Sequence, residues 1–147
     1  MPAKEKLPKK KPAKPRQPER DYSHRALLDK LGVKPEHRVA VLGVADAGFL
    51  RDLRARVPEC SAQLAAAPFD VIFLAAESKQ DLSPVAALVK KIQPAGAVWI
   101  VYPKGQSHIR EADVFAAGKA AGFTDNKVCR FSETHTALRF VIPVARR

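Results

Sequence analysis

The chain has 147 residues, of which 46% are hydrophobic, and a formal net charge of +11 at pH 7. This length fits one ordinary domain with a real core. No run of about 18 apolar residues exists, so no membrane span is expected, and no apolar region follows the basic N-terminus, so no secretory signal is expected. Two distant cysteines, Cys60 and Cys129, argue against a disulfide framework. These features predict a cytoplasmic protein with reduced thiols.

The positive charge is concentrated at the N-terminus. Residues 1–20 contain eight Lys or Arg residues and two acidic ones, a net charge of +6, together with five of the twelve prolines. Such a segment buries too little apolar surface to offset its ordering entropy, so we predict a disordered tail over 1–20 and a single domain over 21–147. Two interpretations of the tail stay open: a basic arm for nucleic acid or an acidic protein, and a solubilising extension without a specific partner.

Strands and helices are predicted to alternate along the domain. Ordered structure should begin near Tyr22, with Ser23 capping a short helix that stops at Gly32. The elements predicted after it are a strand over 38–42, a helix over 49–57, a weak strand over 61–65, a strand over 70–76, a helix from Asp81 or Ser83 to Ile92, a strand over 96–102, a helix over 111–121, and strands over 127–132 and 136–141.

This order predicts a three-layer α/β/α sandwich around a mostly parallel sheet of about six strands. The run over 70–76 is continuously apolar, which is typical of a strand buried on both faces. The last two strands are too close for a crossover connection, so they should form an antiparallel hairpin with Glu133, Thr134 and His135 in its turn.

A resemblance is carried by four segments, VAVLGV, FDVIFLAA, GAVWIVYPKG and NKVCRFSETHTALRFVIP. In this order they are similar to the class I S-adenosylmethionine (SAM)-dependent methyltransferases, whose mostly parallel sheet ends in an antiparallel hairpin. The resemblance covers roughly 33–144. More closely, YSHRALLDKLGVKP, VYPKG and DNKVC…ETHTALRFVI resemble a family of small bacterial proteins known only as a domain of unknown function. That resemblance implies the fold and a cytoplasmic bacterial setting, and no activity.

The cofactor features that the methyltransferase resemblance implies are incomplete. Those enzymes place an acidic-x-Gly-x-Gly-x-Gly turn after the first strand and an acidic residue at the end of the second. Here the turn is LGVADAGF, with Gly43 and Gly48 only, and the second strand, SAQLAAAP, contains no carboxylate. No room remains for a third strand before FDVIFL. We therefore expect a shortened sheet and no cofactor, with SAM binding as the alternative.

Candidate functional residues follow the ends of the predicted strands, where an open parallel sheet binds its ligands. The candidates for cofactor binding are Gly43, Asp46, Gly48, Glu77 and Ser78. Those for anion binding are Lys104, Gly105 and Ser107, and those for acid–base catalysis are Glu133 and His135. Together these residues could form one cleft. Ordinary turn residues are the alternative interpretation of each set.

Metal and thiol chemistry have little support. The four histidines show no spacing typical of metal ligands, so no metal site is expected. Cys129 could pair with His135 as nucleophile and base, but a strand residue of this kind is expected in the core, as is Trp99.

Two functional interpretations follow. The first is a non-catalytic interaction domain with a degenerate methyltransferase-like fold and a basic arm for anionic partners. The alternative is a small-ligand enzyme, either a SAM-dependent methyltransferase or an enzyme acting on an anionic metabolite, that uses Asp46, Lys104, Glu133 and His135. An uncovered sheet edge could also pair with another chain; the oligomeric state does not follow from the sequence.

Removing residues 1–20 should weaken binding to duplex DNA and flatten its salt dependence, because each neutralised phosphate releases counterions. Fluorescence anisotropy of the full chain and of residues 21–147, at several salt concentrations, measures both quantities. Equal affinity and an equal salt slope would contradict the basic-arm interpretation.

Overall fold

The structure is a computed structural model, and it describes residues 27–64 and 67–147. The predicted tail and Ser23 lie outside the described residues. The tail's disorder and its anionic partners therefore stay predictions. No helix in the described residues is long and apolar enough to cross a membrane.

The described chain forms one six-stranded sheet, in the order β2-β1-β3-β4-β6-β5. The strands are β1 Val39–Leu42, β2 Cys60–Ser61, β3 Phe69–Ala75, β4 Ile92–Pro103, β5 Thr124–Arg130 and β6 His135–Val141. Strands β2, β1, β3 and β4 pair in parallel, whereas β6 pairs antiparallel with both β4 and β5. The predicted mixed sheet with a C-terminal antiparallel hairpin is confirmed.

Helices cover both faces of this sheet. They are α1, residues 27–30, and α2 Ala47–Arg56, α3 Val85–Leu88 and α4 Glu111–Ala120, with 3-10 turns at Lys79–Leu82 and Val144–Arg146. The helix predicted to run to Ile92 is wrong in extent, since only α3 is α-helical. The residues at the predicted C-terminal end of this helix pair with β3 instead. The Phe69 N–H donates to the Lys91 carbonyl at 2.8 Å, and Phe69 is the register partner of Ile92.

The second strand is shorter than the predicted stretch over 61–65. It ends at Ser61, whose hydroxyl donates to the Gln63 carbonyl at 2.9 Å and accepts from the Gln63 N–H at 3.1 Å. A serine that bonds the backbone two residues on turns the chain, because it competes with sheet hydrogen bonding. The sheet therefore has only a two-residue strand at the edge beside β1.

Two hydrophobic cores lie on opposite faces of the sheet. Alternate residues of β3 and β4 supply them, since successive side chains of a strand point to opposite faces. Val71 and Trp99 pack on the side of α1 and α2, whereas Ile72 and Val98 pack on the side of α3 and α4. The predicted core position of Trp99 is confirmed, since its indole N–H donates to the buried Leu31 carbonyl at 3.0 Å.

Helix α4 lies close to the sheet because it carries a glycine at the contact. Gly118 is buried against Phe140 of β6, and a Cβ at residue 118 would lie 2.7 Å from the Phe140 Cζ atom. The helix ends where predicted, since Gly122 adopts φ 96° and the Phe123 N–H donates back to the Gly118 carbonyl at 3.0 Å. This contact fixes the distance between α4 and the sheet, and with it the position of the first residues of α4.

Gly118→Ala should therefore lower the free energy of unfolding by about 1–3 kcal/mol, because overpacking outweighs the gain in helix propensity. Urea denaturation measures this change. Phe140→Leu in the same chain should relieve the clash, so the double variant should lose less than the sum of the single variants. A stabilising Gly118→Ala or strictly additive effects would contradict the close packing.

Candidate functional site

Two cavities open at the carboxyl edge of the parallel strands, one on each side of the sheet. The first has a volume of about 350 Å³ and lies on the side of α2, where Val101 and Phe131 form part of its wall. The second has a volume of about 560 Å³ and lies on the side of α4, where Tyr102 and Ile109 line it. Both volumes fall in the range of small-molecule sites, roughly 300–1,000 Å³.

The candidate residues therefore do not form the single cleft that the sequence allowed. Gly43, Asp46, Glu77 and His135 line the first cavity, whereas Lys104, Gly105 and Ser107 line the second. The reason is the alternation of strand side chains, which sends Val101 and Tyr102, adjacent in β4, into different cavities. His135 and Thr136 in β6 are divided in the same way.

The turn after β1 forms one wall of the first cavity. Gly43 adopts φ 85°, a left-handed conformation that a residue with a Cβ rarely takes. Asp46 then caps α2, its Oδ1 atom accepting from the Phe49 N–H at 3.0 Å. Asp46 thus has a structural role, and as an exposed residue it also presents a carboxylate to the cavity.

A histidine–glutamate pair lies at the opposite wall. The His135 Nε2 atom is 2.7 Å from Glu77 Oε2, and its Nδ1 atom is 2.8 Å from the Thr134 hydroxyl. A carboxylate only accepts, so Nε2 carries a proton and donates to Glu77. Glu133 is the other residue that the sequence suggests for acid–base catalysis, but no hydrogen bond or ion pair in the described part of the chain joins it to His135. The strand order brings the end of β3 close to the start of β6, so His135 contacts Glu77 instead.

The backbone around Glu77 is fixed by neighbours that sequence reasoning missed. Asp81 Oδ2 accepts from the Glu77 N–H at 2.9 Å and from the Ser78 N–H at 3.2 Å. His108 Nε2 hydrogen-bonds the Glu77 carbonyl at 2.9 Å. The sequence contains a local sign of the Asp81 contact, because an acidic residue three positions after a serine is typical of a capping box. It contains no such sign for His108.

The two remaining cofactor candidates do not line the first cavity. Gly48 lies in the first turn of α2, and Ser78 begins the 3-10 turn that follows β3. Both shape the connections that position Asp46 and Glu77. Their predicted contact with a cofactor stays a prediction.

The second cavity contains a tyrosine–glutamate contact. Tyr102 is buried close to the Glu111 carboxylate at the start of α4. Burial, and then the negative charge of Glu111, raise the pKa of Tyr102 from 10.0 to about 12. Tyr102 therefore acts as a neutral hydrogen-bond donor at neutral pH.

Cys129 lies in the core, as expected. It is buried on the α2 side among Phe131 and Ala137, and burial raises the pKa of its thiol. Its Sγ donates to the Arg130 carbonyl at 3.5 Å, whereas the ring nitrogens of His135 bond Thr134 and Glu77, so no hydrogen bond in the described residues joins Cys129 to His135. Within residues 27–64 and 67–147, no cluster of three or more His, Cys, Asp or Glu side chains could hold a metal ion.

Comparison with solved structures identifies the fold as methyltransferase-like. The chain is similar to a SAM-dependent methyltransferase from Aquifex aeolicus, with a TM-score of 0.63 and 14% identity, covering 80% of this chain and 88% of that one. It is similar to the SAM-bound magnesium protoporphyrin IX methyltransferase ChlM of Synechocystis, with a TM-score of 0.59 and 15% identity over 84% of this chain and 78% of that one.

A third similar structure is CalO1, a methyltransferase in calicheamicin biosynthesis in its form bound to S-adenosylhomocysteine (SAH). Its TM-score is 0.60 and its identity 14%, covering 84% of this chain and 54% of that one. Neither a family model nor a curated protein matches the sequence. The expectation of no cofactor is therefore wrong, because structures with this fold include SAM-bound and SAH-bound methyltransferases.

Replacing Tyr102 with Phe should change the pH dependence of stability. The pKa of Tyr102 is raised in the folded state, so its stabilising effect is complete below pH 10 and is lost as the pH rises through about 12. Tyr102→Phe should remove this alkaline loss, whereas Tyr22→Phe should keep it. Thermal unfolding between pH 9 and 12 tests both variants. A Tyr102→Phe profile that coincides with that of the wild type would contradict the assignment.

Proposed function

We propose that the first cavity binds SAM or SAH and that the domain acts as a SAM-dependent methyltransferase. The observation that carries the proposal is the position of this cavity, at the carboxyl ends of β1 and β3, in a fold shared with SAM-bound and SAH-bound enzymes. Of the two interpretations drawn from the sequence, this supports the enzyme better than the non-catalytic interaction domain. A cytoplasmic bacterial setting remains a prediction.

The walls of the first cavity fit an adenosine-containing ligand. They are apolar at five residues, Val44, Ala45, Ala75, Val101 and Phe131. Apolar walls with a few placed polar groups are typical of small-molecule sites. The turn at Gly43 brings backbone to the cavity wall without a side chain, which matches the use of glycine where a ligand approaches closely.

The charges of the first cavity fit the cofactor as well. Asp46 and Glu77 give it two carboxylates, and SAM, with a sulfonium, an ammonium and a carboxylate group, carries a net positive charge. Opposite charges at short range attract, most strongly where water is excluded. Because β2 offers no carboxylate, we assign the ribose hydroxyls of the cofactor to Asp46 or Glu77 as well.

His135 is the group in this cavity that can move a proton. When bound, SAM supplies an electrophilic methyl group to an acceptor. With Nε2–H donating to Glu77, the neutral ring has its lone pair on Nδ1, next to the Thr134 hydroxyl. The Thr134 hydroxyl donates to that lone pair, so an acceptor must replace Thr134 at Nδ1 before Nδ1 takes its proton; the Glu77 carboxylate then stabilises the resulting imidazolium.

Calorimetric titration and thermal unfolding with SAM and SAH test the cofactor site. Both ligands should bind saturably and raise the melting temperature, since a ligand at 100 times its Kd stabilises the folded state by about 2.7 kcal/mol. Ala45→Phe should fill the cavity and abolish the effect. Ala47→Phe is the matched control, because Ala47 is also exposed but does not line the cavity.

A second pair of variants tests the charge argument. Glu77→Gln should weaken the binding of SAM, which is cationic at sulfur, more than the binding of SAH, which is not. Glu36 is an exposed acidic residue outside the cavity, so Glu36→Gln should change neither affinity. A folded wild-type protein that binds neither SAM nor SAH, or Ala45→Phe with unchanged affinity, would overturn the proposed function.

A further inference from the structure

The second cavity is not used by the proposed function. It lies across the sheet edge from the first, and the two share no lining residue. It is the larger of the two, at about 560 Å³ against about 350 Å³. Its lining combines apolar and cationic residues, an arrangement typical of sites for amphipathic ligands.

Two cationic side chains that line this cavity have no carboxylate partner among the described residues. Lys104 and Arg110 are exposed and line it, and neither side chain forms an ion pair with any residue in the described ranges. Elsewhere Arg38 pairs with Glu59 at 3.0 Å and Arg56 with Asp29 at 2.7 Å. The lining contains one carboxylate, that of Glu111, against the two cations Lys104 and Arg110. The cavity therefore presents a net positive charge.

The attraction comes from these side chains rather than from the end of helix α4. At the N-terminus of α4, Asp113 Oδ2 accepts from the Arg110 N–H at 2.9 Å, and the carboxylates of Glu111 and Asp113 in the first turn already complement the positive end of the helix dipole. An anion in the cavity would instead meet the ammonium of Lys104 and the guanidinium of Arg110, which bind carboxylate and phosphate oxygens with charge-assisted hydrogen bonds.

Apolar residues also line the cavity, and one of them is largely open to solvent. Val128 of β5 is 53% exposed, one of two large hydrophobic side chains in the described residues with such exposure, and it lines the cavity with Pro103 and Ile109. Covering Val128 would remove apolar surface from water, which favours binding of an apolar group. A simple inorganic anion would leave this surface uncovered.

We propose that the second cavity binds a small amphipathic anion, a carboxylate or phosphate attached to an apolar body. The anionic group contacts Lys104 and Arg110, and the apolar body covers Val128. The site is independent of the cofactor proposal, because it is formed by different residues. Its ligand could be a metabolite with either anionic group, since both share the chemistry that these side chains recognise.

Calorimetric titration of the full chain tests this site with matched probes. Phenyl phosphate should bind about tenfold more tightly than inorganic phosphate, which lacks the apolar body, and than phenol, which lacks the charge. Benzoate against benzyl alcohol tests the carboxylate source in the same way. The stronger of the two anions identifies the preferred group.

Variants then assign the contacts. Lys104→Gln and Arg110→Gln should each weaken the binding of phenyl phosphate about tenfold. Lys119 is an exposed lysine of α4 that does not line the cavity, so Lys119→Gln should leave this binding unchanged. Val128→Ser should weaken phenyl phosphate but leave inorganic phosphate unchanged. All four positions are exposed, so circular dichroism should show that the variants remain folded.

Three results would overturn the proposal. They are no binding of either aromatic anion, equal effects of Lys104→Gln and Lys119→Gln, and phenyl phosphate that binds no better than inorganic phosphate. If duplex DNA binding falls with Lys104→Gln while the aromatic anions show no binding, the cations belong to a polyanion surface instead. SAH titration of the same variants separates the two proposals, because SAH binding should be unchanged whether or not the anion binds.

Discussion

Burial of β3 and β4 on both faces is the constraint on which the rest of this structure depends. Alternate residues of each strand enter the two cores, as Ile72 and Phe73 do in β3, and both are fully buried. Over 71–75 in β3 and 97–101 in β4 the side chains are all apolar or, for the Trp99 N–H, paired, because an unpaired polar group in the core is costly. The polar side chains at this edge of the sheet therefore follow the ends of these two runs, where both cavities open.

The same alternation gives the two cavities different chemistry. On the α2 side, Asp46 and Glu77 provide carboxylates, and Glu77 orients His135 through a 2.7 Å contact. On the α4 side, Lys104 and Arg110 provide cations. A cofactor with positive groups and a ligand with a negative group would thus bind on opposite sides of the same sheet edge. In both β4 and β6, a residue that lines one cavity is followed directly in the chain by a residue that lines the other.

Most of the architecture could be predicted because its signals are local. The apolar runs of β3 and β4, the hairpin, and helix α4 with Gly122 behind it all follow from patterns within a few residues. The helix toward Ile92 could not be bounded in this way, since pairing with Phe69 decided where β4 begins. The second strand was cut short by Ser61, whose hydroxyl bonds the backbone rather than continuing the sheet.

The sequence by itself determined which residue types reach the carboxyl edge, because strand ends and turns are encoded nearby in the chain. Only the tertiary structure decided which of them meet. Glu77 and His135 are 58 residues apart, and their contact exists because β3 and β6 both flank β4. Adjacent residues such as His135 and Thr136 are separated by the pleat of the strand, which sends successive side chains to opposite faces. Partner choice is thus a property of strand order and pleat, which no local pattern records.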